Sequence, residues 1–122
     1  MPISKIEKPE WQEYCDRLSK TLVGTNAEIE IDSLDIGQQI EAKWLPFLGI
    51  VYEPKKDTIE ILLEGLDHII HHPRELYVDQ DAIGLASLEV VTDDDVRQIV
   101  QLRRPVMLAP PPSAGLGTRP RA

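Results

Sequence analysis

The hydrophobic pattern of the chain changes period once. In "KPEWQEYCDRLSKTLVG" (residues 8–24), Trp11, Tyr14, Cys15, Leu18 and Leu22 recur three and four positions apart. That spacing lines one face of a helix, and the face is read as the one that docks on the protein's own sheet. Pro9 suits the first helical position, Glu10 and Glu13 suit the positive end of the helix dipole, and Gly24 suits the stop. After Gly24 the period is two. Ala27, Ile29 and Ile31 alternate with Glu28, Glu30 and Asp32; Ile40, Ala42 and Trp44 alternate with Gln39, Glu41 and Lys43; Ile59, Ile61 and Leu63 stand in a third such run. Alternation of this kind predicts antiparallel strands with one wet face.

Turn residues separate these runs. "DIGQQ" and "EPKKD" read as turns between strands. Pro46 and Gly49 in "WLPFLGIVYEP" predict a kink or bulge in place of one smooth strand. The last third holds "RELYVD" and then a hairpin in sequence form, with two apolar β-branched runs flanking Thr92-Asp93-Asp94-Asp95. The order predicts an α+β, mostly β chain: one N-terminal helix followed by five or six antiparallel strands in a small barrel-like sheet of SH3-like or Sm-like shape. Closure is attractive because it removes the edges of a small sheet. The compact domain is expected over residues 1–108. Residues 109–122, "APPPSAGLGTRPRA", are expected to form a Pro-rich flexible tail. "GLGT" is no phosphate loop, because no Lys-Ser or Lys-Thr follows it.

Charge narrows the partners. The first 26 residues carry four basic and four acidic side chains, but residues 27–108 carry seven basic and seventeen acidic. Phosphate backbones and anionic membranes need a positive surface, so neither nucleic acid nor a membrane is the expected partner. No apolar run approaches the roughly 18–20 residues that span a bilayer. The start of the chain has no apolar core followed by a small-residue cleavage site. A single cysteine, Cys15, cannot form an internal disulfide. Together these point to a cytoplasmic location.

All three histidines fall in "GLDHIIHHPREL". For a metal, the candidates are His68, His71 and His72 with Asp67 as a nearby carboxylate. On a strand, His68 and His72 would share a face with Ile70, leaving His71 on the other. No His-Glu-x-x-His spacing occurs and no second cysteine helps. Catalysis has less support. Ser33 and Ser87 lie outside any Gly-x-Ser-x-Gly elbow, and Asp67, adjacent to His68, would point away from it. Cys15 sits on the apolar stripe, the setting of an inert thiol. The favoured reading is structural: Asp67 opens a turn, Ile69 and Ile70 anchor the chain, Pro73 holds an extended exit, and His68 is half-buried with its nitrogens on backbone partners. No catalytic residue and no cofactor is assigned.

The stretches "EWQEYCDRLS", "DIGQQIEAKWLPFLGIVYEPKKD", "EGLDHIIHHPRELYVD" and "LEVVTDDDVRQIVQLRRP", in that order, resemble a family of small uncharacterised bacterial proteins known only as a domain of unknown function. The resemblance covers about residues 6–108. It implies a bacterial origin and one compact domain, and carries over no activity, substrate or catalytic residue. The chain departs from the expected Asp-Gly in the last turn, having Asp94-Asp95, which favours a looser loop there. With no catalytic set and no cofactor loop, the expected role is a non-enzymatic interaction or accessory module whose partner is another protein or a second copy. Trp44, Leu45, Phe47 and Leu48 are read first as core and, if exposed, as an interaction patch. The alternative is a metal-binding protein using the histidine segment.

Overall fold

The computed structural model describes residues 3–81 and 84–103. The tail expected over 109–122 lies outside the described residues. A short strand, β1 (Ile3–Ile6), precedes a 3-10 turn at Lys8–Glu10 and the helix α1 (Trp11–Thr21). Seven further strands follow: β2 (Asn26–Ser33), β3 (Gly37–Glu53), β4 (Thr58–Leu63), β5 (Leu66–His71), β6 (Pro73–Asp81), β7 (Gly84–Thr92) and β8 (Arg97–Arg103). All pair antiparallel in one sheet of order β1-β6-β7-β8-β2-β3-β4-β5.

The mostly β, antiparallel architecture agrees with the alternation, but two expectations are corrected. The strands number eight among the described residues, and the sheet is not closed into a barrel: β1 pairs only with β6, and β5 only with β4. Alternation identifies which residues sit in strands and leaves open which strands meet. The helix is also not the first element. β1 is too short to show a period, and it exists because Ile3–Ile6 pair with Leu76–Asp79 of β6.

The helix carries the expected face. Trp11, Cys15, Leu18 and Leu22 are buried, and Tyr14 packs against them half-buried. The Trp11 ring meets Tyr52 edge to face at 5.1 Å, and its Nε1 donates to the Ile6 carbonyl at 2.7 Å. Gly24, at φ +91°, turns the chain out of the helix, and the Thr25 hydroxyl donates back to the Leu22 carbonyl at 2.7 Å.

The sheet folds over at β3. Its first part pairs with β2 as far as Pro46, and its second part, from Phe47, pairs with β4. Trp44 has φ +55°, Pro46 has no N–H to donate, and the register slips between Phe47 and Gly49. The kink expected from Pro46 and Gly49 is therefore a fold in one long strand. It brings the inner faces of β4 and β5 (Ile59, Ile61, Leu63, Ile70) into one core with those of β7 and β8 (Leu88, Val90, Val100, Leu102).

Beyond Pro46 the side of β3 facing away from β4 has lost β2. The helix takes its place. The Ser19 hydroxyl donates to the Ile50 carbonyl at 2.7 Å and accepts the Ile50 N–H at 2.8 Å. One side chain thereby satisfies the two groups that a neighbouring strand would otherwise have paired.

Candidate functional site

The histidine segment is a regular strand in place of the expected connection. Along β5, Leu66, His68 and Ile70 face inward, while Asp67, Ile69 and His71 are exposed on the outer face. His68 lies opposite Ile61 and reaches across the fold to Gln98 on β8, where its Nε2 donates to Oε1 at 2.5 Å. Its partner is thus a side chain and not the backbone. His72 leaves the strand with φ +54°. Its N–H donates to the Asp57 carbonyl at 3.0 Å and its own carbonyl accepts from Asp93 N–H at 3.1 Å. A non-glycine residue in that backbone region is strained, and these two bonds hold it there. The three imidazoles therefore do not converge: His68 lies inside, while His71 on the outer face and His72 at the corner have ring centroids 6.4 Å apart. Among the described residues no group of three His, Cys, Asp or Glu side chains is arranged to hold a metal ion.

The corner at His72 belongs to a polar cluster centred on Asp57. Lys8 Nζ lies 3.2 Å from Oδ1, Tyr52 donates its hydroxyl to Oδ1 at 3.1 Å, and His72 Nδ1 lies 3.6 Å from Oδ2. Partial burial pushes the Asp57 carboxyl up, but the bonds from Lys8, Tyr52 and His72 and the Lys8 charge outweigh it, so the group sits below its ordinary value. An open hollow of about 380 Å³, lined by Lys8, Pro9, Gln12, Tyr52 and Pro54, adjoins the cluster. Lys8 and Tyr52 are turned to Asp57, so the cluster mainly ties the start of α1, the β3–β4 turn and the β5–β6 corner together. Sequence reasoning missed it: Asp57 closes the "EPKKD" turn, and no spacing links that turn to Lys8 or His72.

Cys15 is fully buried, and burial pushes its thiol up to about 12, which leaves no thiolate for chemistry near neutral pH. Ser33 accepts the Ile36 N–H at 3.2 Å inside its own turn. Ser87 lies opposite Asp79 and Gln101 in the sheet.

The four residues of the "WLPFLG" stretch separate. Phe47 is core at 2% exposure and Leu45 packs against the core half-buried. Trp44 is half-buried at the fold of β3, with the Arg103 guanidinium 3.9 Å from its ring centroid. Leu48 alone is well exposed, at 59%. Other exposed apolar residues lie at the β2–β3 hairpin: Leu34 is 100% exposed and Ile36 60% in the turn, and Ile40 on β3, opposite Glu30, is 51% exposed. The Leu34–Ile36 turn is closed by Ser33 and by Gly37 at φ +71°. The pattern held the signal, since "SLDIGQQI" has three large apolar residues in a turn and at a strand start.

The molecule is thus a small folded-over antiparallel sheet with one helix on an inner edge, an acidic surface and an apolar hairpin tip. The chain belongs to a family of unknown function (DUF5335), whose pattern matches residues 3–111. An uncharacterized protein of Aquifex aeolicus (strain VF5) is 36% identical to it over 109 residues, 88% of this chain and 98% of that protein. No solved structure matches the chain. No helix among the described residues is long and apolar enough to cross a membrane.

Proposed function

We propose that the protein is a non-enzymatic protein-interaction module that engages its partner through the β2–β3 hairpin tip. The observation that carries this reading is the exposure of Leu34 and Ile36 in the β2–β3 turn, with Ile40 exposed three residues along β3 from its start at Gly37. Water-exposed aliphatic side chains gain free energy by entering an apolar cleft. The rim narrows the partner. Close to the tip stand Glu30, Asp32 and Asp35, and the nearby Arg97 of β8, opposite Asp32, is paired with Glu89. That charge favours a protein whose apolar cleft is flanked by lysine or arginine, and it disfavours nucleic acid. The lone Cys15 supports a cytoplasmic location. The metal-binding alternative has no observation in its favour, since His68, His71 and His72 do not converge.

The test is a comparison of cross-linked partners of the wild-type chain and a Leu34→Asp, Ile36→Asp variant, in extract of the cells that make it. Both positions are exposed, so the variant should keep the wild-type melting temperature. A partner with a basic contact surface, held by the wild type, lost with the variant and released by salt, is the expected result. Identical partners for the two proteins would contradict the reading.

A further inference from the structure

The backbone of β5 has a definite parity. Ile50 turns its N–H and C=O to Ser19, away from β4. Ile50 pairs with Ile61, and Ile61 with His68. In an antiparallel ladder the backbone groups of successive residues point alternately to one side and the other. Ile61 therefore turns its groups to β5, and His68 turns its own back to β4. Asp67, Ile69 and His71 then present their N–H and C=O groups to the open side. Those three residues also place their side chains on the exposed outer face. Nothing among the described residues pairs with that side of the strand.

The three side chains are self-complementary when read in opposite directions. We propose that this edge pairs antiparallel with β5 of a second copy of the chain, about a two-fold axis through Ile69. In that register Ile69 faces its own counterpart. Asp67 of each copy faces His71 of the other, a carboxylate opposite an imidazole donor. Each of the three opposed pairs exchanges two backbone hydrogen bonds. The isologous arrangement closes on itself, so a dimer forms and not a fibre. A register moved to Asp67 or His71 would oppose like groups and shorten the overlap. The other open edges do not offer this: β1 has four residues and exposes Lys5, and the first part of β3, paired with β2 on one side only among the described residues, exposes Lys43. The dimer uses a surface separate from the hairpin tip and does not depend on the function proposed above.

The edge is short, so the dimer is weak and reversible. Each copy has a net charge of −8, so salt tightens the dimer by screening the repulsion between them. A hairpin complex with a basic partner responds to salt in the opposite sense.

Sedimentation velocity of the full chain over the micromolar to millimolar range tests the proposal, at low and moderate salt. The wild type should show a monomer–dimer equilibrium that shifts to dimer with salt. His71→Glu opposes Glu to Asp67 twice by symmetry and should weaken the dimer about tenfold or more. Adding Asp67→Lys to His71→Glu should restore it. Ile36→Asp should leave it unchanged. Measured at dilution where every variant is monomeric, melting temperatures should match the wild type, since both edge positions are exposed. A wild type that stays monomeric at millimolar concentration overturns the proposal. So does a dimer that His71→Glu leaves intact, or one that the second substitution fails to rescue. A dimer abolished by Ile36→Asp and not by His71→Glu overturns it as well, while leaving the hairpin tip as an interaction surface.

Discussion

Two edges of this sheet meet solvent or helix in different ways. Along the second part of β3, where β2 has ended, α1 lies against the strand and Ser19 takes up both backbone groups of Ile50. Along β5 no element among the described residues does the same. That strand pairs with β4 over six residues without a register slip, and it contains neither lysine nor proline. The common devices that discourage a further strand are shortness, an exposed lysine, a proline or a bulge. β1 has two of them, its four residues and Lys5. Edges in one small sheet are therefore not all treated alike. An edge inside the fold is covered because its unpaired groups would lie beside the core, where each costs about 1–3 kcal/mol. An edge at the rim can stay open to water or to a partner.

The covered edge of β3 depends most on Trp11. Its ring packs on Tyr52, and its Nε1 ties α1 to Ile6. Trp11→Ala should destabilise the protein by about 3–5 kcal/mol, since it opens a cavity and loosens the helix from the β3 edge. Chemical denaturation measures this, and a loss below about 1 kcal/mol would show that α1 does not hold the edge. Ser19→Ala is a narrower cut. It leaves the helix in place and strips Ile50 of both partners, and because that contact is only partly buried, water takes up part of the loss and the cost should be about 1–3 kcal/mol. The same substitution at Ser4, exposed on the β1 edge, should cost almost nothing.

A smaller effect is expected at the Asp57 corner, which fixes the end of β5. The carboxyl is lowered from an ordinary value of 3.8 in the folded chain. A lowered acid stabilises the fold fully above its unfolded value, and that contribution fades as pH falls through the lower folded value. Asp57→Asn should therefore lower the melting temperature modestly at pH 7. It should also reduce the loss of stability seen on acidification below about 3.8. Parallel melting curves for wild type and variant over that acid range would contradict the role given to the cluster.

Much of this architecture can be read from the residues. The spacing of Trp11, Cys15, Leu18 and Leu22 specifies the buried helix face, and the alternation of Ala27 and Ile29, or Ile59 and Ile61, specifies inward positions. The looser loop expected at Asp94-Asp95 is instead a closed turn: Thr92 N–H donates to the Val96 carbonyl at 3.0 Å, Asp95 N–H donates to the Thr92 carbonyl at 2.9 Å, and Asp95 takes φ +63°, where glycine is the easier residue. Three features were not legible, for physical reasons. "LDHIIH" pairs as a strand because the Leu63–Leu66 hairpin sets its register against β4, and its polar histidines hid the alternation. The open topology depends on the β1–β6 and β2–β8 pairings, which are distant in sequence. The Ser19–Ile50 contact joins a helix residue to a strand thirty-one positions on, and a serine on a helix flank looks like any solvated one. The apolar hairpin tip was visible in "SLDIGQQI", but turn residues around it drew the reading toward a plain connection.

Backbone amide exchange followed by NMR on a dilute, monomeric sample tests the difference between the edges most directly. Slow exchange is expected at Ile50, and along β5 an alternation: slow at His68 and Ile70, whose backbone groups face β4, and fast at Asp67, Ile69 and His71. Fast exchange at Ile50, or protection at Ile69 equal to that at Ile70 in the monomer, would contradict that difference.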